Sequence, residues 1–361
     1  MKPWFTLYFG IFSMMALSNA IVPVLPAFAG SSSLQGAIYA AYYLGAFTST
    51  LPAGLLADRF GRTPLLRAGL VVSVASGIVL SMTMALLPVL VVRFAEGLGA
   101  GCFVAAAMAY VNSDPDHLKR SGYFMALLNA GLVAGLVLAG WLGARQSPAT
   151  GILLFTTCTI IPACTGFFLR EPTLPIVPAG FPVVADLLYR YQWLWYTSIV
   201  IFGVTGVVAS LYPKFSGVSP DLAGIWIAAM SIATIGAVLV VSRFPMSPVP
   251  IIRYSAVLMI AGVMLVFASP WGFVIIGALA GVVMIAQMAI LAQAPDHQGI
   301  AMGLFSTTSY LGMAVLPFFA GFVSDVAGFF PAFCITALFA GTAAVAIGRC
   351  SSRLSGQESR L

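Results

Sequence analysis

The chain reads as an all-α integral membrane protein, with twelve transmembrane helices in two pseudo-symmetric six-helix bundles. Three observations predict this. Hydrophobic residues fill 61% of the 361 positions, charged residues only 7%, and mean hydropathy is +1.04. So little polar surface cannot cover a soluble globule of this size, and lipid is the solvent for most of the chain. Apolar runs of about 20 residues, the length that crosses a bilayer core, recur from end to end and leave no room for a soluble domain.

The third observation is an internal repeat. A shift of 184 residues lays Arg59-Phe60 on Arg243-Phe244, Pro64 on Pro248 and Gly97 on Gly281. A shift of 180 to 181 lays Pro115-Asp116-His117, Gly122 and Phe124 on Pro295-Asp296-His297, Gly303 and Phe305. Their order and nearly constant offset indicate two halves of one ancestry, which is common in secondary transporters.

Charges, Gly and Pro punctuate the runs and place helices near 4–28, 34–57, 64–86, 88–111, 121–143 and 150–169 in the first half. The first carries Asn19 and ends in Pro23 and Pro26; with no small-residue cleavage pattern it reads as a retained span rather than a signal peptide. The second carries Tyr39, Tyr42 and Tyr43, and the fourth carries Arg93 and Glu96. The segment 170–191, with Arg170, Glu171, Asp186 and Arg190, is the longest between helices and reads as the cytoplasmic linker between an N-terminal bundle, 1–169, and a C-terminal bundle, 192–348. Second-half helices fall near 192–213, 222–242, 250–268, 271–293, 300–322 and 329–348, with a tail at 349–361. Trp193, Trp195 and Tyr196 read as markers of the lipid interface.

Basic residues set the orientation, because Lys and Arg are retained in the cytoplasm during insertion. With the N-terminus inside, Lys2, Arg59, Arg62, Arg67, Lys119, Arg120, Arg170, Arg190, Arg243, Arg253, Arg349, Arg353 and Arg360 are cytoplasmic, and only Arg145 and Lys214 lie outside. The protein is therefore expected in the cell (inner) membrane as a multi-pass chain with both termini cytoplasmic. The net charge of +6 reports this topology and anionic lipid, with no need for nucleic acid. Cys102, Cys158, Cys164 and Cys334 fall in spans and Cys350 in the tail, which argues for reduced thiols without a disulfide framework or metal spacing.

Asp58, Arg59, Gly61 and Arg62, set between two apolar runs, fit a tight aqueous loop. Gly54 through Arg62, Gly-Leu-Leu-Ala-Asp-Arg-Phe-Gly-Arg, resembles the signature after the second helix of the major facilitator superfamily. The resemblance covers essentially the whole chain and implies a secondary transporter working by alternating access. In it this segment would latch the cytoplasmic side, with Gly54 permitting close helix approach and Gly61 the turn. The second-half counterpart, Ser242-Arg243-Phe244-Pro245-Met246, lacks the acid and the glycine.

Arg93-Phe-Ala-Glu96-Gly-Leu-Gly-Ala-Gly101 resembles the family's second motif. Arg93 and Glu96 share a helix face. Arg93 lies within reach of water by snorkelling, whereas Glu96, roughly 12 Å deep at 1.5 Å per residue, does not. An acid at that depth is either half of a structural ion pair or a proton carrier tuned by Arg93. Gly131, Gly135 and Gly140 in the fifth helix resemble the family's antiporter motif, with Leu136 where the motif has Pro, and also fit ordinary small-residue helix packing. Many proton-coupled drug exporters of the family carry a first-helix carboxylate; this chain has Asn19 there.

Asn19, Asn129, Gln287, Gln293 and Tyr310 are polar positions on helices that line the cavity in related transporters, and each equally suits a helix-to-helix hydrogen bond. Tyr39, Tyr42 and Tyr43 with Trp226 would form an aromatic wall for an apolar or cationic ligand. His117 and His297 read as turn or cap residues.

No catalytic or nucleotide-binding constellation is present, so the expected role is transport without enzymatic activity or cofactor, driven by a proton gradient. The favoured reading is proton-coupled export of small hydrophobic or cationic compounds. The alternative is uptake of a metabolite such as an organic acid, sugar or amino acid, with Arg93 binding a carboxylate. Expected partners are a small-molecule substrate, protons and lipid, with the protein a monomer.

Overall fold

A computed structural model describes residues 3–112, 114, 116–169, 181–244, 247–292 and 298–358, with side chains at 58, 59, 112, 117, 118, 181, 182, 298, 299 and 350–358 outside the description. Gln293, Pro115, His297, Pro245, Met246 and the linker segment 170–180, and the side chains of His117 and Cys350, lie outside the described residues. In chain order the helices are α1 (Pro3–Ala20), α2 (Leu25–Phe28), α3 (Ser32–Phe60), α4 (Arg62–Met82), α5 (Leu86–Asn112), α6 (His117–Arg145) and α7 (Pro148–Gly166). They continue with α8 (Phe181–Arg190), α9 (Gln192–Ser216), α10 (Pro220–Val241), α11 (Pro248–Ala268), α12 (Gly272–Leu291), α13 (Gln298–Ala327) and α14 (Phe329–Glu358).

Among the described residues, 11 spans are long and apolar enough to cross a membrane, α1 and α2 counting as one. The twelfth span is α3, whose 29 residues suffice in length. Gln35, three tyrosines and a Ser/Thr-rich middle make α3 less apolar, because much of it faces protein instead of lipid. Pro23 and Pro26 break the first span into α1, a short 3-10 turn at Val22–Val24, and α2, since proline cannot continue the backbone ladder.

The two halves pack alike. In the first, α1 lies on α6 and α7, α4 on α5 and α7, and α3 on α5. In the second, α9 lies on α13 and α14, α11 on α12 and α14, and α10 on α12. Each pair in one list has its counterpart in the other, which is the twofold pseudo-symmetry that the sequence repeat implies. The halves meet mainly through α3 against α13 and α6 against α10, again symmetry equivalents.

The segment expected as an aqueous loop is helical. α3 runs to Phe60 and α4 starts at Arg62, so Gly61 alone makes the turn, at φ 91° and ψ 158°, a conformation open to glycine at little cost. The motif is the end of one helix plus a one-residue hinge. The described part of the linker also folds: α8 buries Val184 and Leu187. Trp195 is buried and its indole N–H donates to the Leu187 carbonyl at 3.0 Å, so it clamps α8 to α9 and does not sit at the lipid interface.

Candidate functional site

The charged centre of the membrane region lies on α5, where Arg93 and Glu96 are one turn apart. The Arg93 guanidinium donates to Glu96 Oε2 at 2.6 Å, with the two side chains 1% and 2% exposed. Arg93 therefore does not snorkel. Its guanidinium carbon lies 4.6 Å from the centroid of the Tyr42 ring, and a ring face plus a carboxylate hold it inside the protein. Glu96 Oε1 and Arg93 Nε have no hydrogen-bond partner among the described residues.

Close helix approach builds this arrangement. A methyl group at Gly97 would collide with the Tyr42 carbonyl, one at Gly45 with the Phe94 carbonyl, and one at Gly101 with the Ser49 hydroxyl. These three glycines let α3 lie directly on α5 and bring Tyr42 over Arg93. Three more rings extend the cluster. Tyr43 stands 5.1 Å from Tyr42 and 4.9 Å from Tyr39 by ring centroids, and the Tyr39 hydroxyl donates to that of Tyr43 at 3.4 Å. Tyr310 of α13 lies 6.1 Å from Tyr43 and joins the cluster from the second half. Gly206 of α9 leaves room for Tyr39, whose ring would stand 3.2 Å from a methyl group there.

The other sequence candidates are dispersed. Trp226 is not part of the tyrosine wall: it packs against Trp271 at 5.3 Å, near the membrane face where α10 begins, because it stands only two turns into that helix. The Asn19 amide donates to the Leu132 carbonyl of α6 at 3.4 Å, a helix-to-helix bond. The Asn129 amide donates back to Met125 of its own helix at 2.8 Å. Gln287 is 0% exposed, and neither its Oε1 nor its Nε2 has a partner among the described residues.

The fifth-helix glycines divide by partner. Gly131 and Gly135 abut the Phe12 and Ala16 carbonyls of α1 within the first half, while a methyl group at Gly140 would lie 2.5 Å from the Pro220 carbonyl of α10 across the halves. Gly54 departs from expectation, because a methyl group there would meet nothing within 4 Å among the described residues. The side chains of Asp58 and Arg59 lie outside the described residues, and Arg62 follows the Gly61 hinge as the first residue of α4.

A contact that sequence reading missed lies at the opposite end of α3. The Asp325 carboxylate of α13 accepts from the backbone N–H groups of Ser32, at 2.8 Å, and Ser33, at 2.7 Å. Nearby, Arg145 of α6 pairs with Asp221 of α10 at 3.9 Å. Both links join the halves at the face away from the chain termini.

Known proteins share this architecture. The chain is 25% identical over 360 residues to the quinolone resistance protein NorA of Staphylococcus aureus strain MRSA252, with 90% of each covered. Its fold is similar to crystal structures of a bacterial homolog of the human lysosomal transporter Spinster (15% identical, TM-score 0.76, 98% of each chain) and of the human organic anion transporter MFSD10 (18% identical, TM-score 0.71, 95% of this chain and 98% of that one). A point mutant of the nucleoside transporter NupG is similar at 13% identity and TM-score 0.76, with 97% of this chain and 100% of that one covered. The profile of the Major Facilitator Superfamily matches residues 7–315, and the chain belongs to that family of transporters.

Proposed function

We propose that the protein is a proton-coupled exporter of small hydrophobic or cationic compounds, and that Glu96 is its proton carrier. The buried Arg93–Glu96 pair inside a tyrosine cluster fed by both halves is the observation that carries this reading. A carboxylate with one oxygen paired and the other unpartnered has a place for a proton, and its fixed cation sets how readily that proton leaves. The tyrosine rings offer faces to an apolar or cationic substrate. Competition between substrate and proton for one negative charge couples the two fluxes.

The positive-inside bias supports placing the chain termini in the cytoplasm, with Lys214 and Arg145 outside. The halves are then joined at the outer face. Supporting this, the short contacts between the halves among the described residues concentrate at the Ser32, Pro220 and Asp325 end. NorA, to which 90% of the chain aligns, is described as a quinolone resistance protein, which favours export over uptake.

Inside-out vesicles with an acid lumen test the direction. Gradient-dependent accumulation of an amphipathic cationic dye, abolished by nigericin, is the expected result. No accumulation of any compound from a panel of cations and neutral drugs would overturn the export reading.

A further inference from the structure

The first turn of α3 has backbone N–H groups without intrahelical partners, as every helix does. Within the chain segment itself, the Ser31 hydroxyl accepts from Leu34 N–H at 3.3 Å and the Ser31 carbonyl from Gln35 N–H at 3.1 Å. The N–H groups of Ser32 and Ser33 are satisfied from the other half of the molecule, one by each carboxylate oxygen of Asp325. An anion at a helix N-terminus also meets the positive end of the helix dipole. Lys214 of α9 stands 3.6 Å behind the carboxylate and fixes it from its own half. Glycines bring the two backbones together here: a methyl group at Gly36 would lie 2.5 Å from the Pro317 carbonyl, and one at Gly321 would lie 2.5 Å from the Ser32 carbonyl.

We propose that Asp325 is the gating residue of the face opposite the termini: its carboxylate, by capping α3 from the other half, holds that face shut, and its release opens the central site there. The halves cannot part at this face without stripping both carboxylate oxygens from both N–H groups. The Arg145–Asp221 pair, at 3.9 Å and with both side chains partly exposed, is a looser second link. Since α3 also ends in the Gly54–Phe60 motif, one 29-residue helix, about 43 Å long at 1.5 Å per residue, reaches the gates of both faces. This role follows from alternating access itself and holds for either direction of transport.

Thiol labelling tests it. Ser32, 1% exposed with its hydroxyl oxygen unpartnered among the described residues, is replaced by Cys as a reporter, in a transport-competent background lacking the five native cysteines. A Gly54→Cys reporter reads the other face. Asp325→Ala should raise the labelling rate at Ser32→Cys by an impermeant maleimide at least tenfold and lower the rate at Gly54→Cys, with Asp325→Asn, which keeps one acceptor, in between. Rates at Ser32→Cys within twofold of the parent, or rates rising at both faces together, would overturn the proposal. A separate Ser33→Cys, Asp325→Cys pair replaces the carboxylate clamp with a reversible covalent one: oxidation to the disulfide should stop transport, and reduction should release it. Continued turnover of the oxidised protein would also overturn the gate.

Discussion

Arg93 and Glu96 form a 2.6 Å ion pair in the interior of the first bundle, with Tyr42 covering the guanidinium. The pair is costly to bury and costlier to break, because removing one partner leaves the other charge without compensation. Glu96→Ala should destabilise the protein by about 3–5 kcal/mol, and the double variant Arg93→Met, Glu96→Met should recover most of it. Thermal unfolding in detergent of the single and double variants checks this. Equal loss in all of them would mean that packing, not charge, dominates the site.

Gly61 and Gly54 should separate folding from gating. Gly61→Ala forces an L residue into the φ 91° conformation and should cost about 1–3 kcal/mol in stability. A methyl group at Gly54 meets nothing within 4 Å among the described residues, so Gly54→Ala should keep the stability of the fold or gain about 0.5–1 kcal/mol from helix propensity. Transport by Gly54→Ala should nonetheless fall if the terminal face closes onto this position. Melting temperatures paired with initial transport rates distinguish the two effects.

The place of Gly61 was legible in the sequence, and so was much of the fold. Apolar run lengths and the repeat at 184 residues are local or periodic signals, and they foretell the matched packing of the two halves. Arg93 and Glu96 stand out because charges are rare in spans. Three-dimensional partners were less visible. Trp226 and Trp195 each look like generic aromatic positions until Trp271 and the Leu187 carbonyl are seen beside them. Asp325 gave no sequence signal, since its partners are backbone N–H groups 293 and 292 residues away, which no residue type announces. Gly54 was expected at a close helix contact, and among the described residues nothing lies within 4 Å of a methyl group there.

Tyr310 provides the ring contact between the second half and the tyrosine cluster. Tyr310→Leu should weaken binding of cationic substrates by about 0.5–2 kcal/mol, roughly 2- to 30-fold, while neutral compounds of similar size lose less. Competition binding with matched charged and neutral ligands checks it. Equal losses for both would remove the cation–ring contribution.

Gly97→Ala should disturb the site without touching a charge. Its methyl group would collide with the Tyr42 carbonyl, forcing α3 from α5 at a cost of about 1–3 kcal/mol. The displaced Tyr42 ring would uncover Arg93, so transport should drop more than stability alone explains. A transport assay at a temperature where the variant remains folded makes the comparison.

Glu96 as proton carrier is the central claim, and Glu96→Gln tests it most directly because the amide keeps the shape while losing the exchangeable charge. The measurement is made in inside-out vesicles with an acid lumen, reading substrate-dependent proton efflux alongside substrate exchange without a gradient. Loss of proton efflux with exchange retained is the predicted result. Proton efflux persisting in Glu96→Gln at the wild-type rate would contradict the account and move the coupling charge elsewhere in the molecule.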